Sequence, residues 1–316
     1  MINIAIIGVG ALGKRHLESI LKSELPLQIY VVDNNEEAVS KVIKMDEKCI
    51  VGGTDTNILP KEIDLAIIST SSAERKTVFQ QMISDSKVKY IIFEKVLFQR
   101  IEEYFEVEKL LKEQGIKAWV NCARREQPSY QELKKIVDKS NYFAFQMAGG
   151  DWGLGCNGIH MLDLIQFLSG SQECIIDRLN LLPIVEESKR IGYKEIYGTI
   201  SGSCGKCLSF SITCFHCSTS PSRLELSGDN FYASIEEGIH KLTFMSADDG
   251  WNTNIREFPL YYQSQQTQKV IEKIMNTGDC NLPQYKESMQ LHLSYIEPLI
   301  KFFEEQGLEK GLCPIT

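Results

Sequence analysis

The stretch that decides the fold is "INIAIIGVGALGKRHLESIL", residues 2–21. An apolar run leads directly into Gly8, Gly10 and Gly13, and a helical pattern of apolar residues follows through Leu17 and Ile20. This is the G-x-G-x-x-G pattern between a strand and a helix. Its first glycine permits the turn, the second lets a pyrophosphate approach the backbone, and the third lets the helix pack on the strand. The stretch predicts a dinucleotide-binding unit.

A second apolar strand, "LQIYVVD", ends in Asp33, twenty residues after Gly13. A carboxylate at this place can accept hydrogen bonds from both ribose hydroxyls of an adenosine and would repel a 2′-phosphate. The sequence therefore predicts NAD in preference to NADP, with Ala11 and Leu12 of the turn in the same cofactor site. The alternative is that Asp33 only caps the helix that begins near Glu36.

Strands and helices alternate through the N-terminal part of the chain. The strands are "KCIVGG", "DLAIIST", "VKYIIFEK" and "GIKAWVNC", and helices are predicted around residues 35–45, 73–85, 100–114 and 127–139. This spacing predicts an α/β fold with a doubly wound parallel sheet, whose ligands bind at the carboxyl ends of the strands. The residues selected in this way are Ser69, Thr70, Ser71, Glu94, Lys95 and the segment 121–125.

Lys95 follows "YIIFE", a strand apolar enough to be central. A lysine at its mouth would be partly desolvated beside a nicotinamide and could exchange a proton with a reacting hydroxyl. The alternative is an exposed lysine at the end of a strand.

The segment "GCNGIHMLDLIQFL", residues 155–168, predicts a buried helix with His160 and Asp163 one turn apart. Asp163 could hold one imidazole nitrogen and leave the other for a substrate. The alternative is a buried His–Asp pair with a structural role, and spacing alone favours it.

Composition places limits on the function. The chain has 316 residues, of which 43% are apolar and 24% charged, and its formal charge is -8. These values argue against a general binder of nucleic acid or membrane surfaces, although a local basic pocket stays open. No apolar run approaches the roughly 20 residues that span a bilayer, and the N-terminus lacks signal-peptide features. The sequence predicts a cytoplasmic protein.

The 10 cysteines raise the question of a metal site. Cys204, Cys207, Cys214 and Cys217 form two C-x-x-C pairs, a common zinc pattern. However, "CLSFSITCF" between them has the composition of a strand, in which residues three apart point to opposite faces. We therefore predict no metal and interpret the cysteines as small strand residues.

Four motifs, "GVGALG", "FEK", "ARRE" and "GIHMLDL", occur in this order and spacing. Together they resemble the Gfo/Idh/MocA oxidoreductases, the family of glucose–fructose oxidoreductase and inositol dehydrogenase. The resemblance implies an N-terminal Rossmann domain over residues 1–121 and a C-terminal α+β domain over 122–316 with a large, mostly antiparallel open sheet. It also implies a homodimer or homotetramer formed through that sheet, and a last helix, about 284–305, that packs back towards the first domain.

The resemblance further implies transfer of a hydride between NAD(P) and a carbon of a sugar, polyol or nucleotide sugar. By position, Lys95 bridges cofactor and substrate, Glu94 lies near the nicotinamide ribose, and His160 lies against the reacting hydroxyl. With the resemblance, a catalytic His160 oriented by Asp163 becomes the favoured alternative. Whether Lys95 or His160 is the base stays open.

The chain departs from the family pattern at three positions. Val96 replaces the proline of the E-K-P motif, so the cis turn often found there is not assured. Cys156 replaces the acid that commonly lies four residues before the histidine, which weakens the analogy with polyol dehydrogenases. Arg75 replaces a histidine near the cofactor loop.

After residue 139 the pattern changes to short strands separated by Gly, Ser and Asp turns. These runs predict an open antiparallel sheet with one helix at 157–169, followed by a last amphipathic helix kinked near Pro298. The strand runs are "YFAFQMAGGD", "EIYGTISGS", "CLSFSITCF", "RLELSGDN" and "HKLTFMS".

Substrate recognition is predicted at four residues. Arg124, Arg125, Trp152 and Asn157 would suit a carboxylate, phosphate or nucleotide on a sugar, and Arg124 is also assigned to the cofactor site. The alternative for the two arginines is a salt-bridged hinge.

Three stretches, "VNCARREQPSYQELK", "GDWGLGCNGIHMLDL" and "LPQYKESMQLHL", resemble family members associated with bacterial surface-sugar biosynthesis, whose substrates include nonulosonic, sialic-acid-like sugars and their nucleotide conjugates. The main hypothesis is thus an NAD-dependent dehydrogenase. The alternatives are an NAD-binding regulator without turnover and a glycosidase that uses NAD transiently.

Overall fold

The computed structural model describes residues 1–316, and the chain divides into two compact units. The first unit comprises residues 1–123, 261–289 and 316, and the second comprises residues 124–260 and 290–315. The segment 261–289, which the sequence assigned to the C-terminal domain, is thus counted with the N-terminal residues. No helix has both the length and the apolarity to cross a bilayer.

The first unit is built on a six-stranded parallel sheet. Its strands are β1 (Ile2–Ile7), β2 (Leu27–Val32), β3 (Ile50–Gly53), β4 (Glu62–Ile68), β5 (Lys87–Phe93) and β6 (Lys117–Val120). Their order is β3-β2-β1-β4-β5-β6, and every neighbouring pair is parallel. The central strands are buried on both faces, which explains their continuous apolar runs. The predicted doubly wound sheet is confirmed.

Five helices accompany this sheet: α1 (Ala11–Ile20), α2 (Glu36–Ile43), α3 (Arg75–Asp85), α4 (Ile101–Glu113) and α7 (Gln263–Thr277). The sequence predicted only one helix between residue 139 and the last amphipathic helix, and α7 shows that this was wrong. Its segment "QSQQTQKVIEKIMNT" is mostly polar, but its few apolar residues recur at helical spacing. Val270, Ile271 and Ile274 join the apolar core of the first unit, and α7 packs against α1.

The second unit is built on an eight-stranded sheet. Its strands are β7 (Phe143–Gly150), β8 (Cys174–Glu187), β9 (Lys194–Cys204), β10 (Cys207–Phe215), β11 (Arg223–Gly228), β12 (Phe231–Glu236), β13 (Lys241–Ser246) and β14 (Asn254–Glu257). The order is β14-β13-β12-β11-β7-β10-β9-β8, and only the β7–β10 pair is parallel. The predicted, mostly antiparallel sheet is confirmed.

Three of these strands, β8, β12 and β14, were not predicted. In β8, Pro183 argues against a strand because proline cannot donate to the ladder. The structure accommodates it because β8 is an edge strand whose register shifts between Leu181 and Val185.

Three helices contribute to the second unit: α5 (Pro128–Asp138), α6 (Leu154–Ser169) and α8 (Tyr285–Glu305). The first residues of α8, 285–289, are counted with the first unit. Pro298 lies inside α8. Helix α6 packs against β9, β10 and α5, and twelve of its 16 residues are buried. A helix that is apolar on nearly all sides needs such a covered position.

The cysteines of the C-x-x-C pairs lie along one hairpin. Cys204 ends β9, Cys207 begins β10 and Cys214 lies within it, and all three are buried, whereas Cys217 is exposed beyond the strand. No two of the ten cysteines form a disulfide bond, and no three His, Cys, Asp or Glu side chains come together in a way that could hold a metal ion.

Candidate active site

The glycine turn follows β1 in the first unit. Gly8 has φ +90°, and a Cβ added to it would lie 2.8 Å from the backbone nitrogen of Thr70. A Cβ on Gly13 would lie only 1.9 Å from the carbonyl oxygen of Gly8. The chain's own packing therefore requires glycine at both positions. At Gly10, in contrast, an added Cβ would meet nothing within 4 Å.

The start of α1 lies next to this open space. Gly10 is its N-cap, no side chain caps the helix, and its first turn contains no acidic residue. The first N–H groups of a helix lack partners within the helix, and the positive end of the helix dipole attracts anions. An uncapped helix beside an open glycine position fits the pyrophosphate of a dinucleotide.

The segment after β4 supports the turn. The Ser69 hydroxyl donates a hydrogen bond to the Gly8 carbonyl oxygen at 2.6 Å. The Ser71 carbonyl accepts hydrogen bonds from the amides of Glu74 and Arg75 at the start of α3. Thr70 has a buried hydroxyl oxygen with no hydrogen-bond partner. Such an atom beside Gly8 is a second feature that a bound ligand would satisfy.

Asp33 lies directly after β2, as the cofactor hypothesis requires. Its Oδ2 accepts a hydrogen bond from the Val9 amide at 2.7 Å, and its Oδ1 accepts one from the Asn35 amide at 2.9 Å. The residue that caps α2 is Asn35, whose side chain accepts from the amides of Glu37 and Ala38. The carboxylate of Asp33 keeps further lone pairs for hydroxyl groups.

We expect Asp33→Asn to change cofactor preference. Asparagine keeps an acceptor for the Val9 amide but removes the charge that would repel a 2′-phosphate. The ratio of the Kd for NADPH to the Kd for NADH should therefore fall by about tenfold, which corresponds to about 1.4 kcal/mol. Fluorescence titration with both cofactors measures this ratio of Kd values. Glu36→Gln is the control for loss of a nearby charge. Tighter binding of NADPH than of NADH by the unmodified protein would refute the prediction.

Lys95 lies just beyond β5. It is partly exposed between Glu94 and Val96, which are both buried, and the Lys95–Val96 peptide is cis. The buried guanidinium of Arg75 donates hydrogen bonds to the carbonyl oxygens of Val96, Leu97 and Thr70. Arg75 therefore points into the unit and joins the segment after β5 to the segment after β4.

The Glu94 side chain is also turned into the first unit, whereas the family resemblance implied a position near the nicotinamide ribose. Its Oε1 lies 2.9 Å from His16 Nε2 and accepts a hydrogen bond from Asn121 Nδ2 at 2.5 Å. Burial acts to raise the pKa of Glu94, but the hydrogen bond and charge of His16, the charge of Lys95 and the Asn121 amide outweigh it. The pKa of Glu94 therefore lies below its ordinary value.

Sequence reasoning missed the partners of this carboxylate, except for Asn121, which lies in the selected segment 121–125. His16 could have been noticed, since it lies three residues after Gly13 in the turn motif. Gln263 and Thr267 give no such signal, because they lie on α7, far along the chain.

In the second unit, the predicted substrate residues hold the start of α6. The Trp152 indole donates a hydrogen bond to the Thr213 carbonyl oxygen at 2.8 Å. Asn157 Nδ2 donates one to the Trp152 carbonyl oxygen at 2.9 Å. His160, farther along α6, is half-buried.

A carboxylate lies near Cys156, although position 156 itself has none. Glu195 at the start of β9 is buried and accepts hydrogen bonds from the amides of Gly155 and Ile196. A Cβ on Gly153 would meet both Cys156 Sγ at 3.0 Å and Glu195 Oε2 at 3.1 Å. Burial raises the pKa of Glu195, and the amide hydrogen bonds only partly oppose this.

We expect Glu195→Gln to be more stable than the unmodified protein at pH 7. A carboxyl whose pKa is raised by folding stabilises the fold below its ordinary pKa of 4.5, and this contribution is lost as the pH rises through the folded-state value. Glutamine keeps the acceptor and cannot ionise, so the difference should vanish at about pH 4. Midpoints of urea unfolding at both pH values test this, with exposed Glu132→Gln as control. A lower midpoint for Glu195→Gln at pH 7 would contradict it.

Both predicted substrate arginines form ion pairs within the second unit. Arg125 donates to Asp163 Oδ2 at 2.9 Å and to Gln166 Oε1 at 3.2 Å, and Asp163 is completely buried. Arg124 contacts both carboxylate oxygens of Glu237, at 3.1 and 2.9 Å. These contacts correspond to the salt-bridged alternative in the sequence analysis.

The Arg124–Glu237 pair includes a third group. The Tyr130 hydroxyl donates to Glu237 Oε1 at 2.5 Å. Burial acts to raise the pKa of Glu237, but Arg124 and Tyr130 outweigh it and lower the pKa.

Residues 2–122 match a family model described as "Oxidoreductase family, NAD-binding Rossmann fold", that of the Gfo/Idh/MocA proteins. This N-terminal segment is similar in sequence to the Gfo/Idh/MocA family. The Gfo/Idh/MocA resemblance and the NAD-type cofactor predicted from the glycine turn are thereby confirmed for this domain. No curated protein matches the chain in sequence.

Solved structures share the fold of this chain over nearly its whole length. A UDP-N-acetylglucosamine 3-dehydrogenase from Acidithiobacillus ferrooxidans has a TM-score of 0.72 and 15% identity, over 94% of this chain and 96% of its own. A super-repressor mutant of Gal80p from Saccharomyces cerevisiae has a TM-score of 0.75 and 15% identity, over 96% of each chain. Biliverdin reductase from Synechocystis sp. PCC 6803, in complex with biliverdin and NADP+, has a TM-score of 0.73 and 12% identity, over 94% of this chain and 97% of its own. At these identities the likeness shows the fold alone.

Proposed function

We propose that the protein is an NAD-dependent oxidoreductase that transfers a hydride between nicotinamide and a CH–OH carbon of a sugar, polyol or nucleotide sugar. The main support is the uncapped, open glycine turn with Asp33 beside it, in a domain of an oxidoreductase family. Lys95, partly exposed at the carboxyl end of β5, provides a proton-transfer group at the edge where such sheets bind ligands.

The nicotinamide, when bound, supplies the hydride acceptor for oxidation and the donor for reduction. In the proposal, the amides of Ala11 and Leu12 at the start of α1 bind the pyrophosphate and Asp33 binds the adenosine ribose. Lys95 and His160 would exchange the proton of the reacting hydroxyl, taking it up when the alcohol is oxidised and returning it when the carbonyl is reduced.

The contacts of the second unit refine the roles of three further residues. Asp163 is proposed to orient His160 from one helical turn away, and Arg125 holds its buried carboxylate by a hydrogen bond from Nε. The guanidinium of Arg124 is directed to Glu237 and is 24% exposed, so contact with an anionic substrate would be made in addition to this pair.

For the substrate we propose a nucleotide sugar of bacterial surface-sugar metabolism, with nonulosonic-acid conjugates among the candidates. The support is the resemblance of three sequence stretches described above and the shared fold with a UDP-sugar dehydrogenase.

Absorbance at 340 nm tests the proposal. Purified protein with NAD would be offered polyols, free sugars, UDP-linked sugars and CMP-linked nonulosonic acids, with Lys95→Ala measured in parallel. A rise that requires Lys95 and occurs with one substrate class would support the dehydrogenase. NAD binding without turnover in all classes would favour a regulator, since one of the structural neighbours is the transcriptional regulator Gal80p from a yeast. Release of sugar without a net change in NADH would favour the glycosidase.

A further inference from the structure

The proposed mechanism does not use the buried imidazole of His16. We infer that His16 is a positioning residue for Lys95: it holds the Glu94 carboxylate, which in turn holds the backbone at Lys95. This inference rests on the proposed function, because it assigns the proton-transfer role to Lys95. It adds a group on α1 that never touches the substrate.

The geometry defines which atom of His16 carries a proton. Glu94 is 2% exposed, and its lowered pKa means that it is a carboxylate near neutral pH. A carboxylate only accepts hydrogen bonds, so the His16 Nε2 at 2.9 Å must be the donor. Asn121 donates to the same oxygen, and the Lys95 amide donates to the other at 3.3 Å. Three donors therefore fix the carboxylate in one orientation.

Helix α7 contacts the other ring nitrogen of His16, Nδ1. Its Thr267 hydroxyl lies 2.8 Å from His16 Nδ1. Gln263 donates to Thr267 Oγ1 at 2.7 Å, and its Oε1 accepts from Asn121 Nδ2 at 2.9 Å. These side chains, on α1, α7 and the segments after β5 and β6, form a closed ring of hydrogen bonds around Glu94. The ring contains the titratable groups His16 and Glu94, with Lys95 as the adjoining charge.

Loss of one hydrogen-bond donor to the Glu94 carboxylate should affect Lys95. A buried carboxylate that lacks a partner loses about 1–3 kcal/mol, which it can recover by rotating or by taking up a proton. Either response removes a fixed negative charge from the residue next to Lys95 and releases the Lys95 amide. The orientation and the proton affinity of the lysine side chain would both change as a result.

Two polar substitutions of His16 separate this role from simple packing. In His16→Gln the amide nitrogen can reach the place of Nε2 and donate to Glu94. In His16→Asn the amide nitrogen reaches only the place of Nδ1, so it keeps Thr267 and loses Glu94. We expect His16→Asn to lower kcat by about 10- to 100-fold, about 1.4–2.7 kcal/mol, and His16→Gln to restore most of the activity. The Kd for NAD should stay within threefold, and thermal melting verifies that both variants fold.

Glu94→Gln completes the test. If His16 acts through Glu94, the double variant His16→Asn/Glu94→Gln should have a kcat no lower than that of the slower single variant. The pH profile of kcat/KM should shift in the same direction in both single variants and in the double variant. If the substitutions only disturbed packing, the losses of transition-state stabilisation in the single variants would add in the double variant, and the pH profile of kcat/KM would not shift.

A second readout does not require turnover. The rate at which acetic anhydride acetylates Lys95, followed by peptide mass spectrometry across pH, should change in His16→Asn and return towards normal in His16→Gln, with exposed Lys112 as internal reference. Unchanged acetylation together with unchanged kcat in His16→Asn would overturn the inference. A changed acetylation rate in a protein that turns over no substrate would refute the proposed function and leave the positioning role of His16 supported.

Discussion

Lys95→Ala is expected to lower kcat by about 10³-fold, which corresponds to about 4 kcal/mol of lost transition-state stabilisation. The methyl group of alanine cannot exchange a proton with the reacting hydroxyl, and no other lysine or arginine lies on the segment between β5 and Arg100. Because Lys95 lies outside the glycine turn and is only one of the residues assigned to the cofactor, the Kd for NAD should change much less than kcat. Stopped-flow or steady-state absorbance at 340 nm, together with NAD titration, measures both quantities.

Lys112→Ala is the matched control, because Lys112 is an exposed lysine on α4 of the same unit. It should change neither kcat nor NAD affinity. The catalytic assignment fails if Lys95→Ala turns over within threefold of the unmodified protein on a substrate that supports hydride transfer. Weak NAD binding by Lys95→Ala would instead mean that the lysine holds the cofactor.

The second large effect is expected at the glycine turn, where two glycines should respond in opposite ways. Gly13→Ala places a Cβ 1.9 Å from the Gly8 carbonyl oxygen, and neither backbone can yield without separating α1 from β1. We expect a loss of about 3 kcal/mol in the free energy of unfolding. Gly10→Ala meets nothing in the chain, so stability should be retained while the Kd for NAD rises about 100-fold, about 2.7 kcal/mol.

Gly238→Ala is the control, because an added Cβ there also meets nothing within 4 Å but the residue lies far along the chain from the turn. It should leave both unfolding and NAD binding unchanged. If Gly10→Ala bound NAD as tightly as the unmodified protein, the open space at Gly10 would not be the pyrophosphate site.

The sequence predicts those parts of the molecule that depend on short-range pattern. The spacing of Gly8, Gly10 and Gly13 is itself the turn, and Asp33 is identified because it ends the next strand. The buried central strands are continuous apolar runs because both faces are covered. These features are local, so the parallel sheet and the position of Lys95 could be predicted.

The environment of the candidate residues could not be predicted, because it depends on contacts between distant segments. The glutamate near Cys156 comes from β9, 39 residues later, and the partner of Arg124 is Glu237, 113 residues later. Similarly, Glu94 follows a strand end, and nothing in its surroundings along the chain indicates that His16 turns it inward. Side-chain partners of this kind follow from tertiary packing and not from periodicity.

The place of α7 has a consequence for how the protein is made. The first unit includes residues 261–289, and Val270, Ile271 and Ile274 fill part of its core. The ribosome therefore synthesises all strands of the second sheet before it synthesises the last segment of the first unit. During translation the N-terminal 123 residues therefore lack the apolar side chains of α7 until residues 261–289 have been synthesised. An expression fragment that ends near residue 122 would stay in that incomplete condition, so cofactor binding is best measured on the full chain.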